Sequence, residues 1–218
     1  MTDAKTDELR SAHDVLAEWY AENLDGVLDR MPIERSVLNL FSELTLSAGL
    51  GDAVADIGCG TGRLAPYLAA RGLSPHGVDL SPGMVDIARR DYPDFPFDVG
   101  DLRALPLDDA SVAGAVCWYS LIFLAPDDRD AAFAELARVV KPGGYLVTAF
   151  KPGDGQLRRG GKLAGLGVEY DGYWLPAEEM EARITAAGFV TAYRGVRPGD
   201  EDDPHTYVYL LARRLRLA

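Results

Sequence analysis

The 218-residue chain contains only two cysteines, Cys59 and Cys117. A disulfide framework is thereby excluded, and two thiols in or beside predicted buried strands fit a reducing compartment. Basic residues are scarce too: 22 Lys and Arg stand against 34 Asp and Glu, a formal net charge of -12. Phosphate polymers bind through Lys and Arg, so an acidic chain without a basic stripe argues against nucleic acid. No apolar run approaches the roughly 20 residues of a membrane span, and the opening MTDAKTDELR has no apolar leader segment. Internal repeats and low-complexity tracts are missing, and no metal-ligand set is expected. These absences leave a cytoplasmic globular protein that acts on a small molecule, without nucleic-acid or membrane partners, as a monomer or homodimer.

What is present is alternation. Short apolar runs at 53–57, 75–80, 95–100, 113–120 and 144–150 read as strands, and helical patterns at 62–71, 82–91 and 128–140 lie between them. Buried strands alternating with helices imply right-handed crossovers and a parallel, doubly wound α/β sheet. Ser81 followed by Pro82 predicts a helix start, and Asp127 or Asp128 another. Residues 8–48 read as two helices with apolar faces, and 151–174 as a glycine-rich connection too long for a plain turn. The chain closes with a helix at 177–187 and strands at 189–196 and 205–214, joined by an acidic loop into an antiparallel hairpin.

The stretch VADIGCGTGRL places Gly58, Gly60 and Gly62 at a strand-to-helix joint. In an open parallel sheet this first turn is the default ligand site, and glycines there let backbone approach a ligand closely. A dinucleotide fingerprint needs its third glycine where Arg63 stands, and no P-loop run exists. Asp56, two residues before the first glycine, would repel a pyrophosphate and welcome an ammonium. Asp79 ends the second strand at a spacing suited to ribose hydroxyls, a feature that NAD enzymes share. Asp101 ends the third, as a possible acceptor for an exocyclic amino group. Each aspartate alone is equally a turn former; three at successive strand ends point to one ligand.

VADIGCGTGRL, GVDLSPGMVDIAR, GDLRALPLDDASVAGAV and ELARVVKPGGYL, in this order over residues 50–150, resemble the class I S-adenosylmethionine-dependent methyltransferases of small-molecule type. The resemblance implies a seven-stranded Rossmann-like sheet with a terminal antiparallel hairpin. It implies S-adenosylmethionine as cofactor, S-adenosylhomocysteine as product, and methyl transfer to an O, N, S or C atom by in-line displacement. It divides the chain into an N-terminal helical cap (1–48), a cofactor-binding core (50–150), a lid or substrate loop (151–175) and a C-terminal helix with hairpin (176–218). It carries Asp56, Gly58, Gly60 and Gly62 to the methionine part of the cofactor and Asp79 to the ribose. It sets Leu80 against the adenine, with Asp101 and the Leu102 backbone at its amino group. Cys117 to Ser120 would lie near the sulfonium, and Tyr20 would lie over the cofactor. Relatives often carry a histidine pair where this chain has Ile122 and Phe123, so no base is borrowed from there.

Base candidates are few. His13 lies on a helix that could close over the pocket; His76 and His205 read as structural. Tyr119 is a second candidate. Trp118, Tyr119, Tyr170, Tyr173 and Trp174 could wall an apolar acceptor site or simply pack in the core. Arg158, Arg159 and Lys162 could recognise an anionic substrate group from a lid, or only solvate a loop. Two other classes share features with this reading: an NAD(P)-dependent oxidoreductase and a cofactor-binding module without catalysis.

Overall fold

The structure, a computed structural model, describes residues 4–162, 165–201 and 203–216. Its strands are β1 (Ala53–Ile57), β2 (Ser74–Asp79), β3 (Phe97–Val99), β4 (Val112–Trp118), β5 (Val140–Phe150), β6 (Leu157–Gly160), β7 (Tyr170–Tyr173), β8 (Phe189–Arg197) and β9 (Tyr207–Arg214). Seven of them form one sheet in the order β3-β2-β1-β4-β5-β9-β8. The β1–β2, β1–β4, β2–β3 and β4–β5 pairs are parallel, whereas β9 runs antiparallel to both β5 and β8. The expected doubly wound sheet and terminal hairpin are both present. The strand order reverses between β1 and β4, which opens a crevice beyond their carboxyl ends.

Helices α1 (Ala4–Leu24), α2 (Pro32–Ser47), α3 (Ala65–Ala69), α4 (Pro82–Asp91), α5 (Arg129–Val139) and α6 (Ala177–Ala186) complete the chain. Strand β4 is buried along its whole length, as expected for a strand covered on both faces. Val116 and Trp118 pack with Val37, Phe41 and Leu68 on one face. Ala115 and Cys117 pack with Phe133, Leu136, Met180 and Ile184 on the other. Among the described residues no helix is long and apolar enough to cross a membrane.

The predicted start of α4 is built as expected. The Ser81 hydroxyl accepts a hydrogen bond from the Met84 N–H at 3.1 Å and Pro82 occupies the first turn. The same hydroxyl donates to Asp14 Oδ1 at 2.6 Å, and Asp14 also accepts from the Gly83 N–H at 2.8 Å. One cap therefore fixes α4 and clamps α1 across it. Ser81→Ala is expected to lower stability by about 1–2 kcal/mol in urea denaturation, with Ser81→Thr recovering much of the loss.

Several boundaries differ from expectation for local reasons. The predicted helix 62–71 shrinks to α3 because Gly62 sits at φ +81°, outside helical space. Asp128 makes no capping bond to α5; its carboxylate pairs with Arg103 at 3.0 Å. Strand β3 keeps only residues 97–99, and β9 begins at Tyr207, leaving His205 in the preceding loop. The long connection after β5 is partly ordered as the antiparallel β6–β7 hairpin.

Candidate functional site

The chain leaves β1 through Gly58, Gly60 and Gly62, with φ of +74°, +55° and +81°. Their structural reasons differ. A Cβ on Gly58 would overlap the Ser120 side chain, and one on Gly62 would come within 2.8 Å of the Phe97 ring. A Cβ on Gly60 would meet nothing within 4 Å. Gly60 is thus bare main chain facing open space, on the wall of a cavity of about 610 Å³. Its N–H donates to Asp79 Oδ2 at 2.8 Å, while Asp79 Oδ1 accepts from the Ser81 N–H at 2.9 Å. The Asp79 carboxylate is held rigidly at the tip of β2, and burial raises its pKa.

Beneath the glycine loop, Asp56 is 1% exposed, and neither carboxylate oxygen has a hydrogen-bond partner among the described residues. Removal from water pushes its pKa up to about 7 against the opposing pull of Arg63. Arg63 lines the same cavity, its pKa lowered by burial, and it forms no ion pair or hydrogen bond among the described residues. One acidic and one basic group thus sit beside the bare loop without neutralising each other. Buried groups of this kind ordinarily find partners, so the pair is complementary to a ligand carrying both charges, such as an amino-acid zwitterion. Arg63 gives no motif signal beyond its place after the third glycine, where it only spoils a dinucleotide fingerprint.

A smaller cavity of about 90 Å³ adjoins the first and shares His13, Gly58, Asp79 and Phe123 with it. Leu80, Asp101 and Leu102 line it. Asp101 is not free, however: Arg103 donates to Oδ1 through Nε at 3.0 Å and to Oδ2 through Nη2 at 2.7 Å. That fork holds the carboxyl below its ordinary pKa despite partial burial, leaving only its remaining lone pairs for a ligand.

Helix α1 brings two more residues to the cavity. Leu16 and Ala17 pack on Met84 and Ile87 of α4, which places His13 and Tyr20 over the glycine loop. His13 Nδ1 lies 2.9 Å from the Leu9 carbonyl. A carbonyl can only accept, so Nδ1 carries the proton and the Nε2 lone pair is left for the cavity. Burial lowers the His13 pKa, keeping the ring neutral and basic in form. Burial likewise raises the Tyr20 pKa, so its phenol stays protonated. At the end of β4, Tyr119 adopts φ +63°, a left-handed conformation that side chains rarely take. It lines the cavity beside Trp118, which stacks on Tyr209 with ring centroids 5.7 Å apart.

The remaining candidates divide. Arg158, Arg159, Tyr170, Tyr173 and Trp174 line the cavity from the β6–β7 hairpin and the residue after it. Lys162 does not; its side chain is largely exposed and pairs with Glu169 at 3.4 Å. Arg159 is taken up by Asp171, Glu169 and, at 2.8 Å, Glu8 of α1, so this part of the hairpin is docked on the N-terminal helix. Cys117 also departs from expectation, since strand alternation turns it into the core under the cavity, with its thiol pKa raised by burial. His205 moves the other way: it lines the cavity and meets the Trp174 ring edge-on at 5.5 Å. Lys151, just beyond β5, also lines it. His76 stays remote, bound to Asp98 at 2.8 Å.

Known proteins resemble this chain over its central region. A family model described as a methyltransferase domain matches residues 54–144. A malonyl-[acyl-carrier protein] O-methyltransferase of Serratia marcescens is 38% identical over 97 residues, covering 44% of this chain and 37% of the relative. A demethylmenaquinone methyltransferase of Beutenbergia cavernae is 32% identical over 148 residues, covering 64% of this chain and 59% of the relative. The chain therefore spans only part of the length of the curated relatives it matches. Among solved structures, the 1,6-didemethyltoxoflavin-N1-methyltransferase of Burkholderia thailandensis superposes with a TM-score of 0.68 at 20% identity, over 99% of this chain and 92% of that one. Residues 54–144 thus match a methyltransferase domain by sequence and nearly the whole chain shares the fold of a solved methyltransferase, and both likenesses support a class I S-adenosylmethionine-dependent methyltransferase.

Proposed function

We propose that the protein transfers a methyl group from S-adenosylmethionine to a small-molecule acceptor. The observation that carries this reading is the Asp56 carboxylate, buried and without a partner beside an equally unpaired Arg63 and the open face of Gly60. These residues fit the cofactor's amino-acid end: Asp56 for its ammonium, Arg63 for its carboxylate. Asp79 suits the ribose hydroxyls, Leu80 the adenine face, and Asp101, through the lone pairs that Arg103 leaves, the adenine amino group with the Leu102 backbone beside it. When bound, the cofactor supplies an electrophilic methyl group activated by the sulfonium charge.

The chain's own contribution is positioning and dryness. Helix α1 and the β6–β7 hairpin, joined by Arg159 and Glu8, both line the cavity, and in this reading they limit the access of water to it. We assign 1–48 as the cap, 50–150 as the core, 151–175 as the lid and 176–218 as the closing helix and hairpin. Alignment of two reactants in such an enclosure is worth about 7–11 kcal/mol in favourable cases. His13 offers a lone pair on Nε2 for an acceptor that must lose a proton, an effect of about 10²–10⁴-fold where one is needed. The two free, buried cysteines fit a cytoplasmic setting.

Methyl-labelled S-adenosylmethionine tests the reading. Label should pass to a small-molecule acceptor in the presence of the wild-type chain, with His13→Gln slowing transfer by about tenfold or more for a protonated acceptor. Tight binding of S-adenosylhomocysteine with no transfer to a broad acceptor panel would mark a binding module instead.

A further inference from the structure

The carboxylates lining the large cavity are gathered at one end, where Arg63 is the accompanying cation. Both of its carboxylates, Asp56 and Asp79, lie at the glycine-loop end, and among the described residues none lines the far end. There the walls are Trp118, Tyr119 and Trp174, accompanied by Lys151, Arg158 and His205. The cations differ in how far they are already satisfied. Arg159 is neutralised by three carboxylates. Arg158 reaches Asp154 only at 3.3 Å and lies 5.1 Å above the Trp174 ring. The Lys151 amine makes no ion pair or hydrogen bond among the described residues; it lies 5.6 Å from the centre of the Tyr207 ring. The nearest acidic influence, Asp203, is committed to Arg197 at 2.8 Å. Burial accordingly lowers the Lys151 pKa.

A half-buried ammonium without an acceptor is an unmet demand for an anion. Flat aromatic walls add a demand for a planar body. We propose that the far chamber binds a flat acceptor carrying an anionic oxygen group, with Lys151 as the residue that takes the charge and Arg158 assisting from the hairpin. The proposal rests on the methyltransferase reading only in calling that molecule the acceptor; the chamber's preference for anions stands on its own residues. It also shifts the expected anion recognition away from Arg159 and Lys162, whose charges are taken by the protein's own acids.

The test uses the purified full chain, with and without saturating S-adenosylhomocysteine, and quenching of the Trp118 and Trp174 fluorescence. Benzoate, naphthoate and indole acetate are titrated beside their neutral primary amides, with phenyl phosphate as a separate arm for phosphate over carboxylate. At least one acid should bind about tenfold or more tightly than its amide. Lys151→Met should erase that preference, Lys151→Arg should keep most of it, and both should bind S-adenosylhomocysteine as the wild type does. Absence of any preference over the panel, or a preference that survives Lys151→Met, would overturn the proposal. Failure of the wild type to bind S-adenosylhomocysteine would instead overturn the methyltransferase reading, and the acid-against-amide comparison would still report on Lys151.

Discussion

Asp56→Asn is expected to weaken S-adenosylhomocysteine binding by about 100-fold and, at pH 8, to raise the stability of the ligand-free protein by about 1–3 kcal/mol. Opposite signs follow from one group. Burial without partners raises the folded-state pKa to about 7 from its ordinary value of 3.8. The folded chain therefore holds a proton at Asp56 that the unfolded chain has lost in that window. Stability falls as pH rises from about 4 to 7, and above pH 7 the full cost of a buried, unpaired charge is present. Asparagine removes that charge, and with it the group that a ligand ammonium would neutralise. At pH 5, where Asp56 is already protonated, the stability gain should shrink. Wild-type affinity should also weaken as pH drops below 7, because binding requires the ionised form. Urea denaturation at the two pH values and calorimetric titration check the two halves; a variant that is less stable at pH 8 and binds normally would contradict both.

The glycines of the loop offer a second large contrast. Gly58→Ala should destabilise the protein by about 2–5 kcal/mol, since it combines the left-handed backbone penalty with an overlap at Ser120. Gly60→Ala carries only the backbone penalty, about 1–2 kcal/mol, because its methyl group would enter open space. That space is the cavity, so Gly60→Ala should fold and yet bind S-adenosylhomocysteine about 10–100-fold more weakly. Thermal melts and titrations on both variants separate the effects. Normal ligand affinity in Gly60→Ala would mean that the glycine serves only the turn.

The parallel sheet, the cap at Ser81 and the acidic strand ends were legible because each depends on residues close in the chain. Apolar runs bounded by Gly and Pro read as strands, and Ser-Pro before an amphipathic segment reads as a helix start. The far half of the site was less legible. Lys151 and His205 are separated by more than fifty residues and reach the same cavity only because β9 pairs beside β5. The pairing of Arg159 with Glu8 needs the hairpin folded back on α1, which no local pattern announces. Cys117 was misplaced for the opposite reason: proximity in the chain set it beside the cavity, while the two-residue alternation of β4 turned it into the core. Asp56 was read as an ammonium partner from its place before the glycines, whereas its lack of any partner among the described residues is a property of the packed fold alone.

Calorimetric titration of the purified chain at pH 8, first with S-adenosylhomocysteine and then with NAD, most directly tests whether an unpaired carboxylate beside bare main chain receives the ammonium of an adenosyl amino-acid ligand. One-to-one binding of the former with no heat from the latter is the predicted result. Binding of the dinucleotide with no response to S-adenosylhomocysteine would contradict it.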